Sequence, residues 1–267
     1  MKRYIWLSDT HINMSVFPFL KRRFASRLNS VESDGLIITG DISNGMLLES
    51  HLRYLATHYD RSIYFVLGNH DYYWRHRDSV ESDVKRLCRQ YPNLHWLSDE
   101  EDPISLGNGI ALVGDEGWYD VSAGDPNMTK WCVDRLINLD YLPLANYSQQ
   151  AAAWKERAYK SSKKLISKIS NALEHNDVVY VATHFPPWTE ATRSNWQLSR
   201  DYWLPYNTNV VLGQEIEKLM KDREGEVVVL AGHTHLACEL SVTKKITCKV
   251  AAASYWGKIG PEELIFL

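Results

Sequence analysis

The sequence predicts an α/β fold, because short buried strands alternate with helical segments along a chain of 267 residues. Aliphatic and β-branched runs are typical of strands that are buried on both faces. They occur at 4–7, 36–39, 63–67, 178–182 and 227–231. Apolar residues at helical spacing predict helices between them. These segments are 17–28, 47–59, 77–90, 149–175 and 214–222. Such alternation is typical of layered α/β domains.

Two further segments predict β-hairpins. Asn108–Gly109 lies between apolar runs and is a strong signal for a type I′ turn. A second hairpin is expected within 237–253, and 264–267 is strand-like. The length suits one domain spanning 1–267.

Two aromatic-rich segments fit the core pattern poorly. Segments 117–148 and 186–208 contain several Trp and Tyr residues, and both follow predicted strand ends. Because ligands in α/β sheets bind beyond the carboxyl ends of the strands, we expect these segments to form a cap or lid.

Composition disfavours several classes of function. The formal net charge is −3 and the pI is about 6.4, so the chain lacks the overall basic charge of many nucleic-acid-binding proteins. No apolar run approaches the roughly 18 residues of a membrane span, and the N-terminus does not resemble a signal peptide. We therefore expect a cytoplasmic protein. The four cysteines show no zinc-finger spacing, and free thiols are favoured over a Cys238–Cys248 pair across the second hairpin.

Polar residues follow each of the five predicted strands. An isolated His there is more often a cap, and Asp after Gly often forms a turn, but turns do not require imidazole. We therefore expect the side chains to converge at one edge of one sheet. The candidates are Asp9, His11, Asp41, Asn69, His70, Asp71, His184, His233 and His235.

These side chains suit two divalent metal ions. Imidazole, carboxylate and amide ligands select Mn, Fe, Zn, Co or Ni, and one carboxylate can bridge two cations. Asp41 is the expected bridge, because it stands alone at its strand end. Asp9 and His11 lie two residues apart, so an extended backbone would point both the same way. His233 and His235 repeat that spacing.

The ordered set of motifs resembles the calcineurin-like metallophosphoesterase superfamily. The motifs are Asp9-Thr10-His11, Gly40-Asp41, Gly68-Asn69-His70-Asp71, His184 and Gly232-His233-Thr234-His235. The resemblance implies a four-layer αββα sandwich with a dinuclear metal site at the strand ends. It implies that Asp9, His11, Asp41 and His235 hold one metal, and that Asp41, Asn69, His184 and His233 hold the other.

The same resemblance implies a mechanism. A metal-bridging hydroxide attacks phosphorus, and His70 contacts the phosphate and protonates the leaving group. Asp71 either orients His70 or a neighbouring loop, or simply caps a turn. Arg193 is a candidate contact for a substrate phosphate. Manganese is the favoured metal.

At two positions the sequence differs from particular branches of the superfamily. Asn44 stands where the protein Ser/Thr phosphatases carry an Asp that orients the catalytic His. The branch that hydrolyses lipid A precursors carries Arg where this chain has His70. Both branches are therefore disfavoured.

The predicted function is hydrolysis of a phosphate mono- or diester, with small or nucleotide-like substrates favoured. The alternatives are a nuclease of the same superfamily and a non-catalytic metal-binding scaffold. Tyr72, Tyr73, Trp74, Trp118 and Trp188 either stack on a base or pack the lid, and packing is favoured.

Overall fold

A computed structural model describes residues 2–14, 18–125, 132–194, 197–198, 201–253 and 264–266. The core is built from two sheets. The first has the strand order β13-β1-β2-β3-β4, with β1 to β4 parallel and β13 antiparallel to β1. Its strands are β1 (Arg3–Leu7), β2 (Gly35–Thr39), β3 (Ser62–Val66), β4 (Leu94–Trp96) and β13 (Leu264–Phe266).

The second sheet has the order β11-β12-β10-β7-β6-β5, with four central parallel strands and antiparallel strands at both edges. Its strands are β5 (Ile104–Gly107), β6 (Ile110–Gly114), β7 (Val178–Ala182), β10 (Glu226–Ala231), β11 (Cys238–Thr243) and β12 (Ile246–Val250). A separate ribbon joins β8 (Arg193–Ser194) and β9 (Gln197–Leu198).

The two sheets pack face to face, and helices cover their outer faces. Alternate residues along each strand point to opposite faces. In β1, Trp6 is buried between the sheets, whereas Ile5 and Leu7 are buried under helices. The helices on this side are α1 (Pro18–Ser30), α2 (Leu48–His58) and α3 (Arg77–Gln90); α5 (Tyr147–Ala172) and α7 (Val210–Met220) cover the second sheet. The expected αββα sandwich is confirmed.

Most predicted elements are confirmed, with differences at α7 and β4. Both hairpins form, and Asn108 and Gly109 have φ values of +53° and +71°, as a type I′ turn requires. Helix α7 begins at Val210 rather than after Gly213, because Asn209 caps it through the Leu212 amide. Gly213 lies inside the helix, where a Cβ would come 2.4 Å from the carbonyl oxygen of Pro187. The three-residue strand β4 was missed, since so short a run carries no clear periodicity.

Cys88, Cys132 and Cys248 are free thiols, as expected. Within β11 and β12, Cys238 is opposite Val250 and Cys248 is opposite Leu240, so the two cysteines do not face each other. Cys132 and Cys248 are buried, whereas Cys88 and Cys238 are only partly buried. Among the described helices, none combines the length and the apolar composition that crossing a bilayer requires.

The aromatic-rich segments carry short elements and a buried aromatic cluster. Helix α4 (Asp134–Ile137) lies in segment 117–148, and helix α6 (Leu204–Asn207) lies in segment 186–208. Trp118, Tyr119 and Phe185 are fully buried and contact one another at ring-centroid distances of 5.3–5.4 Å. Packing is therefore the role of Trp118, as favoured from the sequence.

Candidate metal centre

The predicted site residues lie where the carboxyl ends of strands from both sheets meet. The expectation of one edge of one sheet was therefore wrong, because the chain places β1, β2 and β3 in the first sheet and β7 and β10 in the second. The site residues follow these strands and, apart from His70, His233 and His235, are buried.

One group of four candidate ligands converges closely. Ligand atoms of Asp9, His11, Asp41 and His235 all lie within 4.8 Å of one another. The His235 Nε2 atom is 3.2 Å from Asp9 Oδ1 and 3.5 Å from His11 Nε2. The His11 Nε2 atom is 3.8 Å from Asp41 Oδ2. We call Asp9, His11 and His235 the first half-site.

The backbone at Asp9 and His11 is not extended. The expectation that an extended backbone points both side chains the same way was therefore wrong. Asp9 and His11 have φ values of +51° and +40°, and His233 and His235 have +69° and +64°. Such left-handed residues are uncommon outside Gly and are concentrated at functional sites. Asp9 donates its amide proton to the Gly40 carbonyl at 3.1 Å, which fixes its loop against the next one.

Glycines let these loops approach one another closely. A Cβ at Gly68 would lie 2.1 Å from Asp41 Oδ1, and a Cβ at Gly232 would lie 1.8 Å from Ser8 Oγ. Both distances are far below van der Waals contact. The glycines of two of the motifs are therefore required by packing around the ligands, and not only by turn geometry.

The electrostatics of the first half-site suit a cation. Burial alone would raise the pKa of Asp9, but the nearby imidazoles of His235, His184 and His11 lower it below its usual range. Burial and the charge of Asp9 raise the pKa of Asp41 well above its usual value. Burial lowers the pKa of His11 to about 3, which keeps its imidazole in the neutral form that binds metals.

An unsatisfied oxygen tests whether the site fits a metal. The Oδ2 atom of Asp9 accepts hydrogen bonds from Ser8 Oγ at 2.6 Å and from the His233 amide at 3.0 Å. Its Oδ1 atom is buried among the ligands and accepts no hydrogen bond from the described residues. A buried carboxylate oxygen without a donor is costly unless a cation binds it. The donor set therefore fits a divalent metal ion.

The second half-site consists of Asn69, His184 and His233. Asn69 Oδ1 lies 3.2 Å from His184 Nε2, and the rings of His184 and His233 are 5.1 Å apart. The His184 Nδ1–H donates to the Thr39 carbonyl at 2.8 Å, which leaves its Nε2 lone pair for a metal. Burial lowers the pKa of His184 and that of His233, so both rings are neutral.

Hydrogen bonds from the aromatic-rich segments hold this second half-site. Asn69 Nδ2 donates to Tyr73 Oη at 2.7 Å and to Asp134 Oδ1 at 3.1 Å, and Tyr73 Oη donates to the same Asp134 oxygen at 2.6 Å. These bonds engage the amide nitrogen and leave Asn69 Oδ1 facing His184. Asp134 was missed from the sequence, because its only signal is a single acidic residue in a segment without a motif.

His233 is held in a similar way from segment 186–208. Its Nε2 atom lies 3.1 Å from the Tyr206 carbonyl oxygen and 3.2 Å from Asn207 Oδ1. Both acceptors favour the tautomer with the proton on Nε2, which leaves the Nδ1 lone pair for a metal. His233 and His235 therefore belong to different half-sites despite their spacing.

Asp41 lies between the two half-sites. Its Oδ1 atom is 3.4 Å from His184 Nε2, and its Oδ2 atom is 3.8 Å from His11 Nε2. The His70 amide donates to Oδ1 at 2.9 Å and fixes the carboxylate. A carboxylate with one oxygen toward each group of ligands has the geometry of a bridge.

His70 is the solvent-facing imidazole of the site. Its side chain is 39% exposed, and its Nε2 atom lies 3.7 Å from Asp41 Oδ2. The ring packs against Tyr73 at 4.4 Å and against His11 at 4.7 Å. Burial lowers the pKa of His70 to about 4, so the free imidazole is neutral near pH 7. An anionic phosphate nearby would favour its protonated form.

The remaining predicted residues have other contacts. Asp71 accepts from the amides of Ser43, Gly68 and Ile42 at 2.7, 2.9 and 3.2 Å, so it fixes the two ligand loops to each other. Asn44 Oδ1 accepts from the Leu47 amide at 3.0 Å and closes the turn before α2. Arg193 lies in β8, and its side chain is outside the described residues.

The aromatic residues after the site have different exposures. Tyr72 is fully buried, Tyr73 is 5% exposed and Trp74 is 52% exposed. Trp188 is buried against the second sheet's helices and donates to Glu217 Oε1 at 2.7 Å. Packing is thus confirmed for Tyr72, Tyr73 and Trp188, whereas Trp74 presents an aromatic face to solvent.

Comparisons with known proteins identify the family that the sequence matches. A family model described as calcineurin-like phosphoesterase matches residues 2–237. The uncharacterized protein L509 of Acanthamoeba polyphaga mimivirus is 23% identical over 211 residues, which cover 75% of this chain and 71% of that protein.

Solved structures share the fold at low sequence identity. Phosphopantetheinyl hydrolase from Mycobacterium tuberculosis superposes with a TM-score of 0.62 at 14% identity, covering 97% of this chain and 90% of that one. A dimetal phosphatase from Danio rerio superposes with a TM-score of 0.55 at 12% identity, covering 94% of this chain and 87% of that one.

Proposed function

The chain belongs to the calcineurin-like phosphoesterase family, and we propose that it is a hydrolase that uses two divalent metal ions to cleave a phosphate mono- or diester. The observation that carries the proposal is the position of Asp41. It is buried and has one oxygen toward the imidazole of His11 and the other toward that of His184.

The two half-sites would each hold one metal and share Asp41. Asp9, His11 and His235 would complete the first set of ligands, and Asn69, His184 and His233 the second. When bound, such metals lower the pKa of a water molecule and neutralise charge on the phosphoryl group. Nitrogen and oxygen ligands without thiolate suit manganese, which we favour.

His70 would act on the substrate rather than on a metal. It borders the first half-site through His11, and its exposed edge can reach a bound phosphate. Near the phosphate charge it would be protonated, and it would donate that proton to the leaving oxygen. Tyr73 holds the ring from the other side, so the proton donor is fixed before the substrate binds.

A small or nucleotide-like substrate is favoured. The net charge of −3 gives no overall attraction for a nucleic-acid backbone, which argues against the nuclease alternative. Trp74 follows the His70 turn and is 52% exposed, so its face can stack on a base.

The test is hydrolysis of p-nitrophenyl phosphate and bis-p-nitrophenyl phosphate by metal-stripped protein reloaded with Mn²⁺. We expect turnover that requires metal and is lost in Asp41→Asn, while Asp60→Asn retains it, because Asp60 is an exposed carboxylate remote from the site loops. The ratio of the two rates distinguishes a monoesterase from a diesterase.

A second variant separates an enzyme from a metal-binding scaffold. His70→Ala should lose turnover and retain bound metal, whereas the exposed His175→Ala should behave as the wild type. If neither substrate nor a panel of nucleotides is hydrolysed although two metals bind, the enzymatic proposal fails and the scaffold remains.

A further inference from the structure

A buried arginine without an anionic partner lies behind the metal centre. Arg157 of α5 is 9% exposed, and its Cζ atom lies 3.5 Å from the ring centroid of Trp118 and 4.5 Å from that of Tyr72. Its Nη1 atom donates to Tyr141 Oη at 3.3 Å. Within the described part of the chain, no carboxylate lies within 4.0 Å of the guanidinium. The two aromatic rings offset part of the cost of burying this charge, but they supply no counter-charge.

Two donors at this position lack acceptors. Arg157 Nη2 and Trp118 Nε1 are buried, and neither has a hydrogen-bond partner among the described residues. Both side chains line one cavity with a volume of about 160 Å³. Buried donors of this kind are normally satisfied, so the cavity is expected to hold an acceptor.

Among the charges that line the cavity, Arg157 and Glu116 are the two that form no ion pair within the described residues, since Lys160 pairs with Glu156. Three of the four lining carboxylates are paired with other lining cations, as Glu81–Arg77, Asp99–Lys85 and Asp115–Lys164. The fourth, Glu116, accepts at Oε1 from Trp96 Nε1 at 3.0 Å and from Ser98 Oγ at 2.8 Å. Burial alone would lower the pKa of Arg157, and Tyr141 and Tyr72 raise it above its usual value.

We propose that this cavity binds a small tetrahedral oxyanion, in the form of free phosphate or sulfate or the phosphoryl end of a small molecule. The Arg157 guanidinium would supply the charge and a donor, and Trp118 Nε1 a second donor. A volume of 160 Å³ would hold about five water molecules at ~30 Å³ each, which is enough for one such anion.

The groove beside the cavity has a net positive charge. Lys160 and Lys164 line both the cavity and this groove of about 810 Å³ along α5, which Lys163 and Lys168 also line together with Glu101 and Glu156. The excess of cations attracts anions and raises their local concentration.

The site is distinct from the metal centre and goes beyond the proposed function. Trp118 contacts Phe185 at 5.4 Å, and Phe185 contacts His184 at 4.8 Å, so two aromatic rings separate the cavity from the second half-site. Binding can therefore be measured on protein stripped of metal, independently of whether the enzymatic proposal holds.

Thermal unfolding of the metal-stripped protein tests the site. We expect the Tm to rise by about 2–4 °C at a sulfate or phosphate concentration about five times the Kd, but not with chloride at matched ionic strength. Phenyl phosphate distinguishes the sources, since a matching shift indicates the phosphoryl end of a molecule and no shift indicates a free oxyanion.

Variants assign the binding to the cavity. Arg157→Met should abolish the shift and Lys160→Gln should reduce it. Lys155→Gln, an exposed lysine on the same helix that lines neither cavity nor groove, should leave it unchanged. If Arg157→Met does not fold, Lys160→Gln and a selenate soak of wild-type crystals show whether the oxyanion binds in the cavity. Anomalous density beside Arg157 supports the site, and selenate found elsewhere or only water in the cavity overturns it.

Discussion

The two half-sites are built differently, although the same kind of motif encodes both. In the first, Asp9, His11 and His235 contact one another directly across strand-end loops. In the second, Asn69 and His233 also depend on hydrogen bonds from segments without a motif, through Asp134 and through the Tyr206 carbonyl. The first half-site is therefore a property of the strand-end motifs, and the second also depends on segments 117–148 and 186–208.

This difference suggests how segments 117–148 and 186–208 could influence metal binding and the position of His70. Helix α4 contacts the turn that carries His70 at a second point, since the Trp74 amide donates to the Ile137 carbonyl at 2.9 Å. Displacing α4 would disturb Asn69 and the Tyr73 ring that packs on His70 together. A segment predicted to cover the site would then also control how well one metal is held.

Removing one imidazole from each half-site is expected to have the largest effect. His235→Ala and His184→Ala should each lower kcat on the order of 10²–10³-fold, because each deletes a fixed group that supports charge at the reacting centre. Metal analysis should show about one metal lost in each case. His175→Ala is the control, and two retained metals in either variant would contradict the assignment of that histidine as a ligand.

A substitution at Asp134 tests whether the second half-site depends on segment 117–148. Asp134→Asn should weaken binding at this half-site and lower activity by about 10–100-fold, as loss of a group that orients a ligand does. The first half-site should keep its metal. Asp140→Asn is the matched control, because Asp140 bonds the Arg77 amide and His76 instead of a ligand.

Metal titration by calorimetry distinguishes this role from a structural one. A positioning residue changes the affinity of one of two sites, while a residue that only stabilises the fold lowers Tm and leaves both affinities intact. Equal weakening of both sites would show that the half-sites are not independent.

The sequence predicted which residues converge at the candidate site better than it predicted the residues that hold them in place. The residues from Asp9 to His235 stand next to strand runs that periodicity identifies, and the turns that end strands have no need of imidazole. Asp134 reaches Asn69 across 65 positions from a segment with no repeating pattern. The positive φ values of Asp9 and His11 could not be predicted either, because loop residues show no hydrophobic periodicity that would indicate their backbone conformation.

A smaller effect is expected from the hydroxyl between Asp134 and Asn69. Tyr73→Phe removes the 2.7 Å and 2.6 Å hydrogen bonds and keeps the ring that packs on His70. Asn69 Nδ2 retains its bond to Asp134, so the cost should be about 1 kcal/mol, or roughly fivefold in activity. Tyr73→Leu should be worse, because it also removes the support of His70. An unchanged kcat in Tyr73→Phe would contradict a role for the hydroxyl, and equal effects of the two variants would contradict a role for the ring.

The smallest effect is expected at Asn44, which belongs to neither half-site. Its Oδ1 atom accepts from the Leu47 amide, and no other side-chain bond of Asn44 is present among the described residues. Asn44→Ala should therefore cost about 1 kcal/mol of stability, a fall in Tm of about 2–4 °C, with kcat unchanged. Asn44→Asp keeps the acceptor and should preserve both. Thermal unfolding and steady-state kinetics measured together separate the two roles. If Asn44 instead oriented His70, Asn44→Ala would lower kcat at constant Tm, and the turn before α2 would support catalysis as the half-sites do.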